Sequence, residues 1–265
     1  MKVCDLVLVV PCYNEARRLR ADVFLEFVRG HPSVGLLFVD DGSTDGTAAL
    51  HTALVAAEPE SIAALRLERN QGKGEAVRRG ILEALRASPK MVGFWDADLA
   101  TPLTMVTDFL SVASARPDID ILLGSRVLLM GRDIRRKAAR HYLGRVFATA
   151  ASLTLDIPVY DTQCGAKVFR ATDDLARVFA VGFRSAWVFD VEVLARFLDL
   201  PEDGGPPRAQ RIYELAVPAW HDIPGSKVHA SDFVRSVFEL MAIWRGRRAG
   251  RLPGQARRAP GDPRG

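Results

Sequence analysis

Long apolar runs, paired cysteines, spaced histidines and repeats are all missing from this chain. No uninterrupted apolar stretch of about 18 residues or more occurs, so no transmembrane helix is expected. The three cysteines, Cys4, Cys12 and Cys164, are scattered over 265 residues. An odd, scattered set gives neither a disulfide framework nor a metal-ligand spacing. It suits a reducing compartment, and the expected location is the cytoplasm or the cytoplasmic face of a membrane. The opening MKVCDLVLVVPCYNE has an aspartate inside its apolar run and leads straight into a polar motif, so no signal peptide is expected. His141, His221 and His229 have no ligand spacing, and no chemistry is assigned to them. The glycine-flanked lysine of NQGKGEAVRRGI lacks the G-x-x-x-x-G-K-[ST] spacing, which excludes a P-loop.

What is present is an ordinary globular balance, 48% hydrophobic and 26% charged, with a net charge of +4. The charge is uneven. From Arg245 the chain reads RGRRAGRLPGQARRAPGDPRG, too poor in apolar residues to build a core, and residues 249–265 are expected to be a disordered basic tail. Before it, apolar strand-length runs alternate with helix-length segments. Strands are expected at 6–10, 34–39, 62–67, 91–95 and 119–123, with helices at 16–29, 44–57, 74–87 and 102–115. Ser43 or Thr44 is a plausible cap of the second helix. Past Arg126 the alternation lapses into a long helix at 137–155, a strand after DTQCG, a helix at 187–198, a strand at 212–217 and a final helix at 233–244. The pattern argues for an α/β fold with a mixed, mostly parallel sheet flanked by helices. One domain over residues 1–230 is expected, then an amphipathic helix over 231–248.

Ligands of such sheets bind outside the carboxyl ends of the strands, where the polar motifs of this chain fall. VVPCYNE puts Pro11, Tyr13 and Glu15 at the first strand–helix turn, suited to grip a nucleotide base. FVDDGSTDGT adds Asp40 and Asp41, an acidic pair placed for ribose hydroxyls or, equally, for a turn and a cap. Gly72 and Gly74 would let Lys73 and nearby N–H groups approach a phosphate; a solvated lysine at a loop–helix junction is the alternative. GFWDADLATP carries the sharpest signal. Asp96 and Asp98 sit one residue apart at a strand end, and i and i+2 of an extended chain point the same way. Converging carboxylates cost energy unless a cation answers them, and a hard one, Mg²⁺ or Mn²⁺, suits them best. A capping or salt-bridged pair is the competing reading.

Taken in order, VVPCYNE, VDDGSTDGT, NQGKGEAVRRGI, DADLATP, GSR, DTQCGAKVFR, WVFDVEVL and PGSKV resemble glycosyltransferase family 2, the inverting nucleotide-sugar enzymes of GT-A fold. The likeness covers about residues 6 to 245 and leans to the polyprenol-phosphate sugar transferases, on their dolichyl-phosphate β-glucosyltransferase branch. The resemblance implies a nucleotide-binding set of Pro11, Tyr13, Glu15, Asp40, Lys73 and Asp96. It implies Asp96 and Asp98 at the diphosphate and metal, and Arg126, Arg140, Gln163 and Lys227 around the sugar and phosphates. Asp161, Asp98 and Arg126 are then the catalytic candidates. Asp161 acts on the acceptor side, as a base or as a group that orients a neighbour. Mannosyl members carry a glutamine where this chain has Ala100, so the pattern here looks like the glucosyl DADxAT. That shifts the expected donor from GDP-mannose to UDP-glucose.

The implied activity is metal-dependent hexosyl transfer to a polyprenyl or dolichyl phosphate. The alternative is a soluble family 2 transferase using GDP-mannose or another donor with a non-lipid acceptor. Phe233, Val237, Phe238, Leu240, Met241 and Trp244 recur at near-helical spacing beside Arg235 and Arg245. Such a helix, with the basic tail, can lie on an anionic membrane or pack on its own domain. No nucleic acid is expected as a partner.

Overall fold

β1 (Leu6–Cys12) serves two cores at once. Val7 and Val9 face one, while Leu6, Leu8 and Val10 face the other, as strand periodicity requires. A strand buried on both sides reads as an unbroken apolar run, which made LVLVV, GLLFV and MVGFW legible. The structure is a computed structural model and describes residues 4–127, 130, 133–135, 138–185, 187–221, 230–250 and 252.

Seven described strands form one sheet in the order β3 (Ile62–Arg66), β2 (Val34–Asp40), β1, β4 (Met91–Trp95), β7 (Ala166–Arg170), β5 (Ile121–Ser125), β8 (Ile212–Ala216). Neighbours are parallel except β7, which runs antiparallel to both β4 and β5. The sheet is therefore mixed and mostly parallel, as the alternation led us to expect. One face is covered by α1 (Ala21–Gly30), α2 (Thr47–Ala57) and α4 (Met105–Ala115) through Phe24, Leu54 and Phe109. The other carries α3 (Lys73–Leu85), α5 (Ala138–Leu155), α6 (Asp173–Ala180), α7 (Phe189–Leu198) and α8 (Ala230–Arg248), through Ile81, Ala151, Phe179, Leu194 and Leu240. Each such fully buried Leu, Ile or Phe contributes about 1.5–3 kcal/mol. β1 lies between β2 and β4, so the chain reverses direction across the sheet there. The crevice at the carboxyl ends opens at that switch point.

Several helices start later than their sequence pattern suggests, and for α1 and α2 local turns explain it. α1 begins at Ala21 rather than Ala16 because the Glu15 carbonyl accepts the N–H groups of Arg18 and Leu19, both at 2.9 Å, in a turn. α2 begins at Thr47. Asp45 accepts the Thr47 N–H at 3.0 Å, and the capping position is Gly46, so neither Ser43 nor Thr44 caps it. α4 starts at Met105, past Pro102, and α7 at Phe189, past Trp187. Two features were missed. α6 is capped by Thr172, whose hydroxyl accepts from Leu175 N–H at 3.3 Å, a Thr-Asp-Asp start that was there to read. The other is a two-strand pair, β6 (Asp133–Arg135) with β9 (Ala219–His221), too short to show a periodicity. The basic tail beyond Leu252 and the PGSKV motif lie outside the described residues.

Candidate active site

Three carboxyl-end loops are tied to one another. Asn14, at φ +54°, takes the left-handed conformation that asparagine tolerates. Its N–H donates to Ser43 Oγ at 2.9 Å, and its Oδ1 accepts from Thr44 N–H at 2.9 Å. Glu15 N–H donates to Thr47 Oγ1 at 2.8 Å, while its buried carboxylate pairs with Arg18. Pro11, near the end of β1, and Tyr13, in this loop, are half-buried. Asp40 is buried, and its two oxygens do different things. Oδ1 accepts from Ser43 N–H at 2.8 Å; Oδ2 makes no hydrogen bond and lies 3.4 Å from Arg66 Nε.

Asp41 has a role the sequence did not suggest. Its carboxylate accepts from Gln71 N–H and Gly72 N–H, each at 2.8 Å, and so fixes the NQGKG loop. Burial pushes its pKa up, against the pull of those two donors. Gly42, at φ +68°, leaves no alternative residue, since a Cβ there would fall 2.4 Å from the Arg69 carbonyl carbon.

That loop delivers Lys73, whose Nζ lies 2.5 Å from Asp96 Oδ1. Burial alone would lower the Lys73 pKa, but the carboxylates of Asp96, Asp190 and Asp98 outweigh it and raise it. Asp96 lies against the backbone of Gly165. A Cβ at Gly165 would come within 1.9 Å of Asp96 Oδ2, so only glycine leaves room. Asp98 Oδ1 accepts from Ala100 N–H at 3.0 Å. Its pKa is raised by burial first and by the charge of Asp96 second. The turn that aims this pair passes through Leu99 at φ +56°, a conformation costing about 1–2 kcal/mol for a residue other than glycine.

Among the described residues, no group of three or more His, Cys, Asp or Glu side chains is arranged to hold a metal. Asp96 and Asp98 make a two-carboxylate donor set, one member already against Lys73. The chemistry fits a hard divalent cation only where ligand phosphates and water complete the shell.

Across the crevice, Arg126 meets Asp161 as a fork. Nε donates to Oδ2 at 2.6 Å, Nη2 to Oδ1 at 2.8 Å, and the Arg126 N–H to Oδ2 at 3.0 Å. Burial opposes the guanidinium charge, but Asp161 outweighs it and the Arg126 pKa is raised, with a smaller push from Asp96. Glu214 of β8 braces the same loop by accepting the N–H groups of Tyr160 and Asp161, both at 2.8 Å. The Gln163 N–H donates to Asp161 Oδ1 at 3.1 Å, and its side chain is half-buried. The Arg126 guanidinium also stacks 5.3 Å from the Trp220 ring. Cys164 is buried 3.7 Å from Thr101 Oγ1, and burial raises its pKa, so it packs rather than reacts.

Residues 7–175 match the model of glycosyl transferase family 2. The chain belongs to glycosyltransferase family 2. Within that family it is similar to the dolichyl-phosphate β-glucosyltransferase of Dictyostelium discoideum, 34% identical over an alignment covering 91% of this chain and 76% of that protein. The Mus musculus protein of the same name is 33% identical, over 84% of this chain and 69% of its own length. Among solved structures, glucosyl-3-phosphoglycerate synthase of Mycobacterium tuberculosis, in complex with Mn²⁺, UDP-glucose and phosphoglyceric acid, superposes with a TM-score of 0.62 at 19% identity. It covers 92% of this chain and 79% of that one. Mannosyl-3-phosphoglycerate synthase of Rubrobacter xylanophilus gives 0.64 at 16% identity, over 98% and 79% of the two chains. These likenesses place the family 2 chain in the GT-A fold.

The structure of this family 2 member thus gathers Lys73, Asp96 and Asp98 at one station, and Arg126, Asp161 and Gln163 at the next. Pro11, Tyr13, Glu15 and Asp40 lie at the β1–β2 end. Arg140 is carried by α5, its side chain outside the described residues, and Lys227 also lies outside them. Sequence reasoning missed Lys167 and Asp190 beneath the site. Lys167 Nζ sits 2.6 Å from Asp190 Oδ1 and donates to the Cys164 carbonyl at 2.6 Å. A lysine inside the apolar run AKVFR was the available signal, because a charge there must find a partner.

Proposed function

We propose that this chain is an inverting glucosyltransferase that carries glucose from UDP-glucose to a polyprenyl or dolichyl phosphate. The relatives named dolichyl-phosphate β-glucosyltransferase carry this reading, since they align along most of the chain. The DADLAT sequence, with Ala100 after the paired aspartates, supports glucose over mannose.

The side chains divide the work. Pro11, Tyr13, Glu15 and Asp40 form the base and ribose end. Lys73 places a positive charge where the leaving diphosphate gathers negative charge. Mg²⁺ or Mn²⁺ held by Asp96 and Asp98 together with diphosphate oxygens would neutralise further charge there. A phosphate-monoester acceptor, with a second pKa of about 6, is already largely ionised at neutral pH and needs no strong base. Both oxygens of Asp161 are engaged by Arg126, which suits a positioning residue. Arg126 then offers the acceptor anion or the sugar its remaining donor face, with Gln163 beside it. An acceptor phosphate oxygen attacks the anomeric carbon as the bond to the UDP oxygen breaks. The electron pair leaves with UDP, and configuration inverts. Arg140 and Lys227 complete the proposed sugar and diphosphate contacts. A lipid acceptor puts the enzyme at a membrane surface, peripherally and on the cytoplasmic face.

The test is a donor screen with UDP-glucose, UDP-galactose, UDP-N-acetylglucosamine and GDP-mannose, with Mg²⁺, Mn²⁺ or chelator. Transfer to a short water-soluble prenyl phosphate is the readout. UDP-glucose should be preferred, and Asp98→Asn should cost at least about 10²-fold in kcat. A preference for GDP-mannose, or transfer only to a non-lipid acceptor, overturns the reading.

A further inference from the structure

Among the described residues, large exposed apolar side chains are few, and most are gathered in one place. Of nine large ones exposed among the described residues, six stand on α5 and α8: Val146, Leu153, Val237, Phe238, Met241 and Trp244. Leu153 and Phe238 are 74% and 65% exposed, nearly as bare as in an unfolded chain. Between the two helices runs an apolar groove of about 170 Å³, lined by Ala150 and Leu153 on one side and Val237, Met241 and Trp244 on the other.

α8 is not short of a partner. Leu240 and Ile243 are buried in the same core as Ala151 and Leu155, so one stripe of the helix is already packed. The exposed stripe lies next to it and continues onto α5. A contiguous apolar face of this kind on a folded domain marks an interaction site. Its rim is cationic. Arg145, Arg245 and Arg248 are exposed, Arg235 is exposed but paired with Glu239 at 2.8 Å, and the Arg248 guanidinium stacks 4.6 Å over the Trp244 ring. An aromatic side chain under a cation, beside aliphatic side chains, matches the layering of a lipid headgroup region over acyl chains.

We infer that the α5–α8 face docks on an anionic phospholipid bilayer. This rests on the proposed lipid acceptor only for its purpose, which is to bring the crevice to a membrane-embedded substrate. Charge selects the occupant. A second copy of the chain would bring the arginine rims together, whereas lipid phosphates complement them. The chain's own last stretch, PGQARRAPGDPRG, has no aliphatic or aromatic side chain larger than alanine or proline to fill the groove.

The test is sedimentation of the full chain with phosphatidylcholine vesicles, with and without about one-third phosphatidylserine. The chain should pellet with the anionic vesicles, less so at high salt, and stay in solution with the neutral ones. Leu153→Glu/Phe238→Glu, both at exposed positions, should weaken vesicle binding at least about 10-fold. Its transfer to a long-chain prenyl phosphate in vesicles should fall by a similar factor, while transfer to the short soluble acceptor stays within about 2-fold. Parent protein left in the supernatant, equal binding by the double variant, or an oligomer that the double variant abolishes each overturns the inference. If vesicle binding holds but the parent transfers glucose to neither acceptor, the docking face stands and the proposed activity fails.

Discussion

The two banks of the crevice are held by different chemistry. On the β1–β2 side the loops are joined by backbone N–H groups donating to side-chain oxygens: Asn14 to Ser43, Glu15 to Thr47, Gln71 and Gly72 to Asp41. On the β5–β7–β8 side, ion pairs with little or no exposure are added to bonds of that kind, such as those from Tyr160 and Asp161 N–H to Glu214. Arg126 faces Asp161, Lys167 faces Asp190, and Glu192 faces Arg196 with neither side chain exposed at all. The last pair holds the segment before α7. Glu192 accepts Arg184 N–H at 2.8 Å, and Arg196 donates to the carbonyls of Val178, Val181 and Gly182. A typical hydrogen bond is worth about 0.5–1.5 kcal/mol net, and a loop sharing several tolerates the loss of one. Removing one member of a buried ion pair costs about 3–5 kcal/mol, because the other is left bare. The proposed acceptor bank is therefore the brittle one.

Lys167→Met breaks that comparison most directly. It strands Asp190, 6% exposed, without its cation and releases the Cys164 carbonyl. Chemical denaturation should show a loss of about 3–5 kcal/mol. The double change Lys167→Met/Asp190→Leu should recover most of it, as well-packed apolar replacements of buried pairs often do. A single-variant loss below about 1 kcal/mol would mean that the two banks do not differ.

Arg126→Lys sharpens the comparison at the site itself. The charge stays, but the two-pronged contact to Asp161 is lost, because an ammonium cannot reproduce the planar fork. Initial-rate kinetics should show the acceptor KM raised about 10-fold, with the UDP-glucose KM changed by less than about 3-fold. A larger rise in the UDP-glucose KM than in the acceptor KM would place Arg126 on the donor.

How much of this was legible follows the same division. The donor bank could be read because its residues are polar and stand at the ends of strands buried on both faces, so DAD and DDG appear as sharp breaks in apolar runs. The fold class came from those runs too. The acceptor bank was only half visible. Asp161 and Arg126 were named, yet their partnership joins residues 35 positions apart and needs β7 inserted between β4 and β5. An antiparallel strand entering a parallel sheet leaves no local signature. Lys167 announced itself as a charge inside an apolar run, but its partner Asp190 looks like a surface charge until the topology puts both under the site. The late starts of α1 and α2 were invisible because local turns, closed by the Glu15 carbonyl and by the Asp45 carboxylate, take up residues whose propensities suit a helix.

The smallest expected effect concerns a costly feature of the donor bank. Asp98 has a raised pKa, from burial and then from the charge of Asp96, against an ordinary value of 3.8 in the unfolded chain. The folded state therefore holds the Asp98 proton more tightly than the unfolded state does. Above both values the carboxylate is charged in each state, and the folded state bears the full penalty. As pH falls through the raised pKa, the penalty disappears. Asp98→Asn, free of that charge, should melt about 2 °C higher than the parent at neutral pH without ligand or metal. The gap should close on acidification toward the carboxylate range. The same substitution is expected to cost at least about 10²-fold in kcat. A residue whose removal steadies the fold and stops the reaction is held there by the reaction, since stability alone would have replaced it. A melting temperature that falls in Asp98→Asn, or a gap that widens as pH drops, would instead make Asp98 part of the scaffold, and the banks would then differ in residue types but not in purpose.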